Sequence, residues 1–284
     1  MKKLLTLSCT LVLLLGLCCG LAFAAGDKAT VFVTIADKDG NLALATELID
    51  VTDIDNDGKL TVNDALYCAH EAKFTGGAAA GYLSEMTEYG LSLKKLWGID
   101  NGTGYGYYVN NAAAMSLGDE IKNNDYINAF VYTDTTNWSD TYCFFDAQAV
   151  ASTAGSEIPL KLSAVGFDAN YNTVISPVEG ATILVDGKAT DAKTDKDGKV
   201  TVSIKDAGLH IISAKSDSVI LVPPACSANI SAAEEKPVDQ GKEEKPQDTT
   251  PKTGDTATIL LYAIAAMAAL GTVIVVSLKK EKAA

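Results

Sequence analysis

Turn dipeptides cut the middle of this chain into short apolar runs, and this pattern constrains its fold more than any other feature. Runs rich in β-branched residues are separated by Asp39-Gly40, Asp186-Gly187 and Asp197-Gly198. Asp-Gly pairs favour the tight turns that join antiparallel strands. Residues 157–231 contain the runs LKLSAVGF, ATILVDG, KVTVSIKD, LHIISAK and SVILVPP. We therefore predict an all-β sandwich for residues 157–231.

Residues 25–148 show a different pattern, which predicts an α+β domain. The strand-like run KATVFVTIAD opens this part, and Val62–Lys73 has the apolar spacing of a helix. The apolar face of that helix consists of Ala65, Leu66, Cys68 and Ala69. Later runs, among them GYGYYVNN and DYINAFVYTD, favour strands joined by Gly and Asn turns. We predict one main helix packed on an antiparallel sheet.

Both ends of the chain carry signals for export and anchoring. Residues 1–24 combine two lysines, a short apolar run and the triplet Ala22-Phe23-Ala24, which is typical of a cleaved signal peptide. Residues 256–278 are apolar over ~34 Å of helix, long enough to cross a bilayer, and a lysine-rich tail follows them. Residues 232–249 repeat an EEKP unit and almost lack large apolar residues, so they predict a disordered linker.

The segment TPKTG at residues 250–254, with the apolar span and the lysines behind it, resembles the LPxTG sorting signal of Gram-positive bacteria. This chain has Thr250 where that family has leucine. The resemblance implies that residues 250–284 are a sorting signal, that a sortase cleaves between Thr253 and Gly254, and that Thr253 is joined to peptidoglycan. The membrane would then be contacted only through the C-terminal helix before sorting. A plain single-pass membrane anchor is the alternative, and in both cases the folded part faces outward.

The charge of the chain argues against nucleic acid as a partner. Its formal charge is −13, and it contains no arginine. Cleavage at the two predicted sites removes five lysines and two acidic residues, so the mature charge becomes −16. Phosphate groups are usually held by arginine and lysine on a basic surface.

Three cysteines remain after removal of residues 1–24, namely Cys68, Cys143 and Cys226. An odd number leaves at least one without an intramolecular partner. Cys68 and Cys143 lie in the same predicted domain and are the more plausible disulfide pair. The alternative is that all three are buried free thiols.

The stretch DIDNDGKLTVND, residues 53–64, carries oxygen ligands in the order of an EF-hand loop. Such a loop uses side chains at positions 1, 3, 5 and 12, a carbonyl at position 7 and glycine at position 6. Asp53, Asp55, Asp57 and Asp64 occupy positions 1, 3, 5 and 12. Lys59 supplies the carbonyl at position 7, and Gly58 is the glycine at position 6. Carboxylates that converge on one point repel each other unless a cation neutralises them, so Ca²⁺ is the predicted cofactor.

An acidic turn at a helix start, with Thr61 or Asn63 as N-cap, is the alternative to a calcium loop. Two other D-x-D-G stretches, around Asp39 and Asp197, lack an acidic residue at position 12 and are predicted hairpin turns. The loop with its following helix resembles one half of a dockerin repeat. That resemblance implies assembly with a cohesin-like partner, although a second half-repeat is not found in this sequence. We expect a calcium role that is structural.

Two further resemblances concern the folded domains. The motifs TVNDAL, GYGYYVNN and SLGDEIKNNDYINAFVY resemble the domain at the C-terminal end of transcobalamin, which implies one helix on a sheet and half of a corrinoid site. The stretch PVEGATILVDG, with TDKDGKVTVSIKDAGLHIISA after it, resembles immunoglobulin-like and prealbumin-like spacer domains of bacterial surface proteins. This second resemblance implies a scaffold or binding module.

No spacing of nucleophile, base and acid indicates an enzyme, since His70 falls in a predicted helix and His210 in a predicted strand. Aromatic rings can instead stack on sugars or anchor protein contacts. The candidate ligand contacts are Trp97, Tyr105, Tyr107 and Trp138, within a wider aromatic set that includes Tyr108, Tyr132 and Tyr142. We predict a calcium-stabilised, non-enzymatic adhesion or binding protein of the cell wall, whose ligand is a glycan, a protein or a small molecule. Surface capture of a corrinoid and dockerin-like assembly are the alternatives.

Overall fold

The structure, a computed structural model, describes residues 28–102 and 104–233. The predicted signal peptide, the sorting signal and nearly all of the predicted linker lie outside these residues. Within the described ranges, no helix is both long and apolar enough to cross a membrane. The predicted span 256–278 is outside them.

The described residues form a mostly β structure with few helices, arranged in two units. The elements of the first unit are β1 Lys28–Ala36, β2 Leu42–Thr52, α1 Val62–Lys73, α2 Gly77–Gly81, β3 Leu83–Thr87, β4 Gly90–Leu96, β5 Ile99–Asp100, β6 Tyr105–Val109, β7 Ala112–Ala113 and β8 Tyr126–Val131. The elements of the second unit are β9 Thr141–Phe145, β10 Ala149–Thr153, β11 Glu157–Phe167, β12 Thr173–Pro177, β13 Thr182–Val185, β14 Lys188–Lys193, β15 Lys199–Ser203, β16 Gly208–Lys215, β17 Leu221–Val222 and β18 Cys226–Ser231.

The first unit is built on a five-stranded sheet of order β2-β1-β8-β6-β7, with a separate three-stranded sheet β3-β4-β5. Strand β1 sends Val31, Val33 and Ile35 to one face of the larger sheet, where the apolar side of α1 packs. This burial explains the position of α1, because Leu66 and its neighbours on the same helix face are removed from water.

The expected antiparallel sheet is wrong for one pair, since β1 and β8 run parallel. The chain between them includes α1 and several strands, which is long enough for the crossover that parallel pairing requires. On β6, Gly106 lies opposite Phe130 of β8, and a Cβ at position 106 would collide with the Phe130 ring. The absence of a side chain at that position therefore lets the ring lie across the neighbouring strand.

The second unit consists of two sheets, of order β10-β18-β16-β13-β14 and β12-β11-β9-β17, and β15 pairs with β11. Their inner faces share one apolar core. Large members of that core include Phe145, Leu162, Ile183 and Ile212, each with at most 2% of its surface exposed. Two sheets packed face to face over alternating side chains agree with the predicted all-β architecture of this part.

The second unit begins earlier in the chain than residue 157. Strand β9, which lies in the predicted first domain, and β10, which lies between the two predicted domains, pair with β11, β17 and β18. The run TYCFF is as compatible with one sheet as with the other, because local pattern does not identify the partner strand. The pairing of β9 and β10 therefore places the end of the first unit after β8.

This assignment separates the two cysteines that the sequence analysis paired. Cys143 is buried in the core of the second unit, whereas Cys68 packs against the core of the first. All three cysteines are free thiols in the described structure. Burial raises the pKa of the Cys226 thiol to about 12 and raises the pKa of Cys143 still further. The alternative of buried thiols therefore fits Cys143 and Cys226, and Cys68 is half-buried.

The two units meet on the face of the first sheet that is opposite α1. A third apolar cluster joins Ala36 and Phe130 of the first unit to Tyr142, Val165 and Val222 of the second. In the same contact the rings of Tyr108 and Tyr142 stack with centroids 3.6 Å apart and an interplanar angle of 6°.

Candidate metal site and the aromatic residues

The predicted calcium loop follows β2 directly and leads into α1. Its turn depends on left-handed backbone at Asn56, with φ of 61°, and at Gly58, with φ of 84°. The carboxylates of Asp53, Asp55 and Asp57 each offer an oxygen, and these three oxygens lie within 4.8 Å of one another. The loop therefore brings together three of the four predicted acidic ligands.

Backbone N–H groups hold the carboxylates of this loop in place. Asp53 accepts hydrogen bonds from the N–H of Asn56 at 2.7 Å and of Gly58 at 2.8 Å. Asp57 accepts one from the N–H of Lys59 at 2.8 Å. Each carboxylate oxygen has two lone pairs, so these bonds leave acceptor capacity for a cation.

The three carboxylates do not share one electrostatic environment. The hydrogen bond from Gly58 is the main cause that lowers the pKa of Asp53, with the bond from Asn56 also contributing. The pKa of Asp55 is raised, first by desolvation and then by the negative charges of Asp57 and Asp64. A cation at the loop would relieve this repulsion.

Asp64, the fourth predicted acidic ligand, is occupied by a helix cap. Its Oδ2 accepts hydrogen bonds from the N–H of Thr61 at 2.8 Å and from the Thr61 hydroxyl at 2.6 Å. Thr61 accepts in return from the N–H of Asp64, so the two residues form a capping box for α1. Oδ1 accepts from the N–H of Ile54 at 3.0 Å, which ties the loop to the helix.

Thr61 is the N-cap that the alternative interpretation named, and the motif T-x-x-D was the signal for it in the sequence. Lys59 directs its ammonium group to Glu120 at 2.7 Å. The role predicted for Lys59 as a carbonyl ligand concerns its backbone and is unaffected by that ion pair.

Three of the four candidate aromatic contacts belong to the interior of the first unit. Trp97 and Tyr107 are half-buried against its core, and Tyr105 is 9% exposed. The Tyr105 hydroxyl lies 2.7 Å from the carbonyl oxygen of Lys94 and accepts from the N–H of Asn101 at 2.7 Å. Packing and hydrogen bonds hold the Tyr105 ring, and packing against the core covers part of the Trp97 and Tyr107 rings, so these three residues offer less surface to a ligand than an exposed ring does.

Trp138 is the candidate that reaches solvent, with 47% of its surface exposed. Asp134 supports its loop by accepting hydrogen bonds from the N–H groups of Thr136 and Asn137, both at 3.0 Å, and from the Ser139 hydroxyl at 2.7 Å. The bonds from Asn137 and Ser139 are the leading causes that hold the pKa of Asp134 well below its usual range. The loop therefore presents an exposed indole on an ordered support.

Sequence matching identifies the C-terminal segment. Residues 242–283 match the family model described as LPXTG cell wall anchor motif, a stretch outside the described residues. The protein is an extracellular surface protein anchored to the cell wall. The motif implies processing by a sortase and attachment to peptidoglycan, as expected for Gram-positive surface proteins.

Comparisons with other proteins add little about the folded units. No curated protein matches the chain. Among solved structures, the N-terminal four Ig domains of Dscam1 isoform 9.44 are 13% identical, with 53% of this chain and 32% of that chain covered and a TM-score of 0.19. The same region of isoform 7.44 is 10% identical, with 72% and 44% covered and a TM-score of 0.20. This chain thus spans less than half the length of these structures.

Proposed function

We propose that this cell-wall-anchored protein is a non-enzymatic adhesion or binding protein whose first unit is stabilised by calcium. The observation that carries the calcium part is the convergence of the Asp53, Asp55 and Asp57 carboxylates between β2 and α1. Hard oxygen ligands with full negative charge are those that Ca²⁺ prefers.

The donor set fits a weak calcium site. The three carboxylates and the carbonyl of Lys59 would hold the ion. Asp64, which accepts bonds from Thr61 and Ile54, is not among the carboxylates whose oxygens converge. Extracellular sites with dissociation constants of ~10⁻⁴–10⁻³ M are filled outside the cell, so high affinity is not required.

The position of the loop supports a structural role for the ion. The loop joins the edge strand β2 to α1, which covers the core of the first unit. An ion that fixes the loop would therefore restrain both elements at once. Among the described residues, the group that could hold the ion consists of Asp53, Asp55 and Asp57 of the loop itself.

Calorimetric titration of CaCl₂ into the mature chain, residues 25–253, after removal of bound metal with a chelator, tests the calcium part of the proposal. We expect one site that disappears in Asp53→Ala and Asp57→Ala. Asp195→Ala is the matched control, since Asp195 also accepts two backbone N–H bonds in an Asp-Gly turn. Absence of binding heat in the unmodified chain, or equal binding in all variants, would refute the calcium site.

The orientation of the second unit supports a surface-binding role. At the beginning of β18, Ser227 bonds through its hydroxyl to Thr46 of the first unit. The chain leaves β18 at Ser231, ~13 Å further along the strand, toward the linker and the wall anchor. The first unit therefore contacts β18 near the start of that strand, and the linker follows the other end of the strand in the sequence.

Trp138 is the proposed contact residue for a glycan or protein ligand. A glycan array and cell-adhesion assays with the unmodified chain and Trp138→Ala test this role. Tyr89→Ala serves as control, since Tyr89 is 92% exposed and lies in the turn between β3 and β4. Equal binding by both variants would remove Trp138 from the proposal.

The finer assignments stay predictions. We propose residues 25–148 as a transcobalamin-like α+β unit, apart from the strand β9 described above, and residues 157–231 as part of an immunoglobulin-like sandwich. The packing of α1 on a sheet supports the first of these. Corrinoid capture, tested by spectral titration with cobalamin, and dockerin-like assembly remain alternatives.

A further inference from the structure

A cleft of 850 Å³ lies between the two units. Its first wall is formed by the β1–β2 turn, residues 39–42, together with Ala45. Its second wall is formed by the Asp186-Gly187 turn, by β16 and by residues 215–221. Ligand sites commonly have volumes of ~300–1,000 Å³ and often lie between domains. No local sequence motif indicates this cleft, because its walls come from distant parts of the chain.

Two strands with a free edge border the cleft. In the described sheets β2 pairs only with β1, and β17 pairs only with β9. The beginning of β2, at Leu42 and Ala45, and Leu221 of β17 contribute to the lining. An unpaired strand edge offers N–H and C=O groups to an extended chain, which adds as a further strand. The free length of β2 from Leu42 to Ala45 is ~10 Å.

The charge of the cleft is negative. Its charged lining residues are Asp39, Asp186, Asp217 and Lys215. Among described residues, Asp39 pairs with Lys38 at 2.8 Å and Asp186 with His210 at 2.7 Å. No described residue forms an ion pair with Asp217 or Lys215. Lys38 and His210 thus partly offset Asp39 and Asp186, whereas the carboxylate of Asp217 has no described cation beside it and favours a cationic group there.

The rest of the lining is aliphatic or small and polar. The exposed aliphatic part includes Val219 at 45% and Ile220 at 39% of their surfaces, with Leu42 and Leu184 beside them. Among the described lining residues none is aromatic, so the stacking platform that sugars use is missing. One lysine and no arginine also disfavour an anionic ligand.

From the free strand edges, the negative charge and the aliphatic lining together, we infer that this cleft binds an extended peptide segment with alternating basic and aliphatic side chains. The peptide backbone pairs with the edge of β2, aliphatic side chains contact Val219 and Ile220, and a basic side chain faces Asp217. This inference deepens the proposed binding function and rests on it, but it does not depend on calcium or on Trp138.

Isothermal titration of the mature chain with acetyl-Lys-Val-Lys-Val-Lys-Val-amide tests the inference. We expect saturable one-to-one binding, at least tenfold tighter than binding of the matched Glu-Val hexapeptide. Methylation of the backbone nitrogens on one edge of the peptide should abolish the binding, because those nitrogens then donate no hydrogen bonds. Amide chemical-shift changes should centre on residues 42–45 and 219–221.

Asp217→Lys and Asp191→Lys form a matched pair of charge reversals. Asp217 lines the cleft, whereas Asp191 is exposed on β14 outside it. We expect Asp217→Lys to weaken binding about tenfold and Asp191→Lys less than twofold. Equal effects of the two reversals, equal binding of both peptides, or no saturable binding would overturn the inference. If that failure occurs while calcium binding and Trp138-dependent adhesion persist, the proposed function stands without this cleft.

Discussion

His70 accepts a hydrogen bond through its Nε2 from the backbone N–H of Trp97 at 2.8 Å, which links α1 to the turn after β4. Its Nδ1 lies 2.6 Å from the carbonyl oxygen of Leu66, so this nitrogen carries the proton and donates. The ring is fully buried and faces Phe74, Tyr82 and Trp97. A histidine held in this way is neutral and structural, because Nε2 must keep its lone pair.

Acid should destabilise the first unit through His70. Burial lowers the pKa of His70 from 6.5 to about 4, so between these values the unfolded chain binds a proton that the folded chain does not. The stabilisation is therefore complete above pH 6.5 and is lost as the pH falls toward 4. The expected loss is about 3 kcal/mol.

Chemical unfolding of the unmodified chain and of His70→Gln at pH 7, 5.5 and 4 measures this effect. The variant should be less stable at pH 7 and should depend less on pH between 6.5 and 4. The difference between the two chains separates His70 from the surface carboxylates, which titrate in both. Parallel pH profiles would contradict the prediction.

Asp64→Ala should destabilise the chain whether or not calcium is present. The change removes acceptors for the N–H groups of Thr61 and Ile54 at a residue that is 1% exposed. Loss of a cap and of buried hydrogen bonds costs about 2–3 kcal/mol. Chemical unfolding of the unmodified chain and of Asp64→Ala, in EDTA and in CaCl₂, measures this loss of unfolding free energy. If the cost appeared only with calcium, Asp64 would be a ligand and not chiefly a cap.

Calcium should raise the melting temperature of the unmodified chain by about 5 °C at a concentration near 100 times its dissociation constant. Asp53→Ala should melt at the same temperature in EDTA and in calcium, because one of the three converging carboxylates is gone. Differential scanning calorimetry is the measurement. Asp195→Ala should keep the full response to calcium, and a lost response there would point to a general ion effect.

Gly106→Ala should destabilise the first unit by about 1–3 kcal/mol, since the new methyl group collides with the ring of Phe130. Gly166→Ala in β11 is the comparison, because the nearest atom to its new Cβ is the Val174 carbonyl oxygen at 3.9 Å. That change should be neutral or slightly stabilising, as a residue with fewer unfolded conformations replaces glycine. Thermal unfolding of both variants measures the two changes in stability. Equal changes would show that the Phe130 ring moves aside.

Local pattern predicted several elements well. The helix over Val62–Lys73 has the bounds that its apolar spacing predicted, and the run KATVFVTIAD, predicted to be a strand, contains β1. The turn residues before and after these elements are also local features. In each case the signal lies within a few residues, where propensity and spacing act directly.

Other features depended on partners far along the chain. The sequence alone determined the wall anchor, the turns, the helix and the acidic loop, because each is encoded in a contiguous stretch with its own chemistry. Only the tertiary structure decided that β9 joins the second unit, that Tyr105 is interior while Trp138 is exposed, and that Asp64 caps α1. The physical reason is that burial, strand partners and competition for a carboxylate's lone pairs are set by residues that meet only after folding.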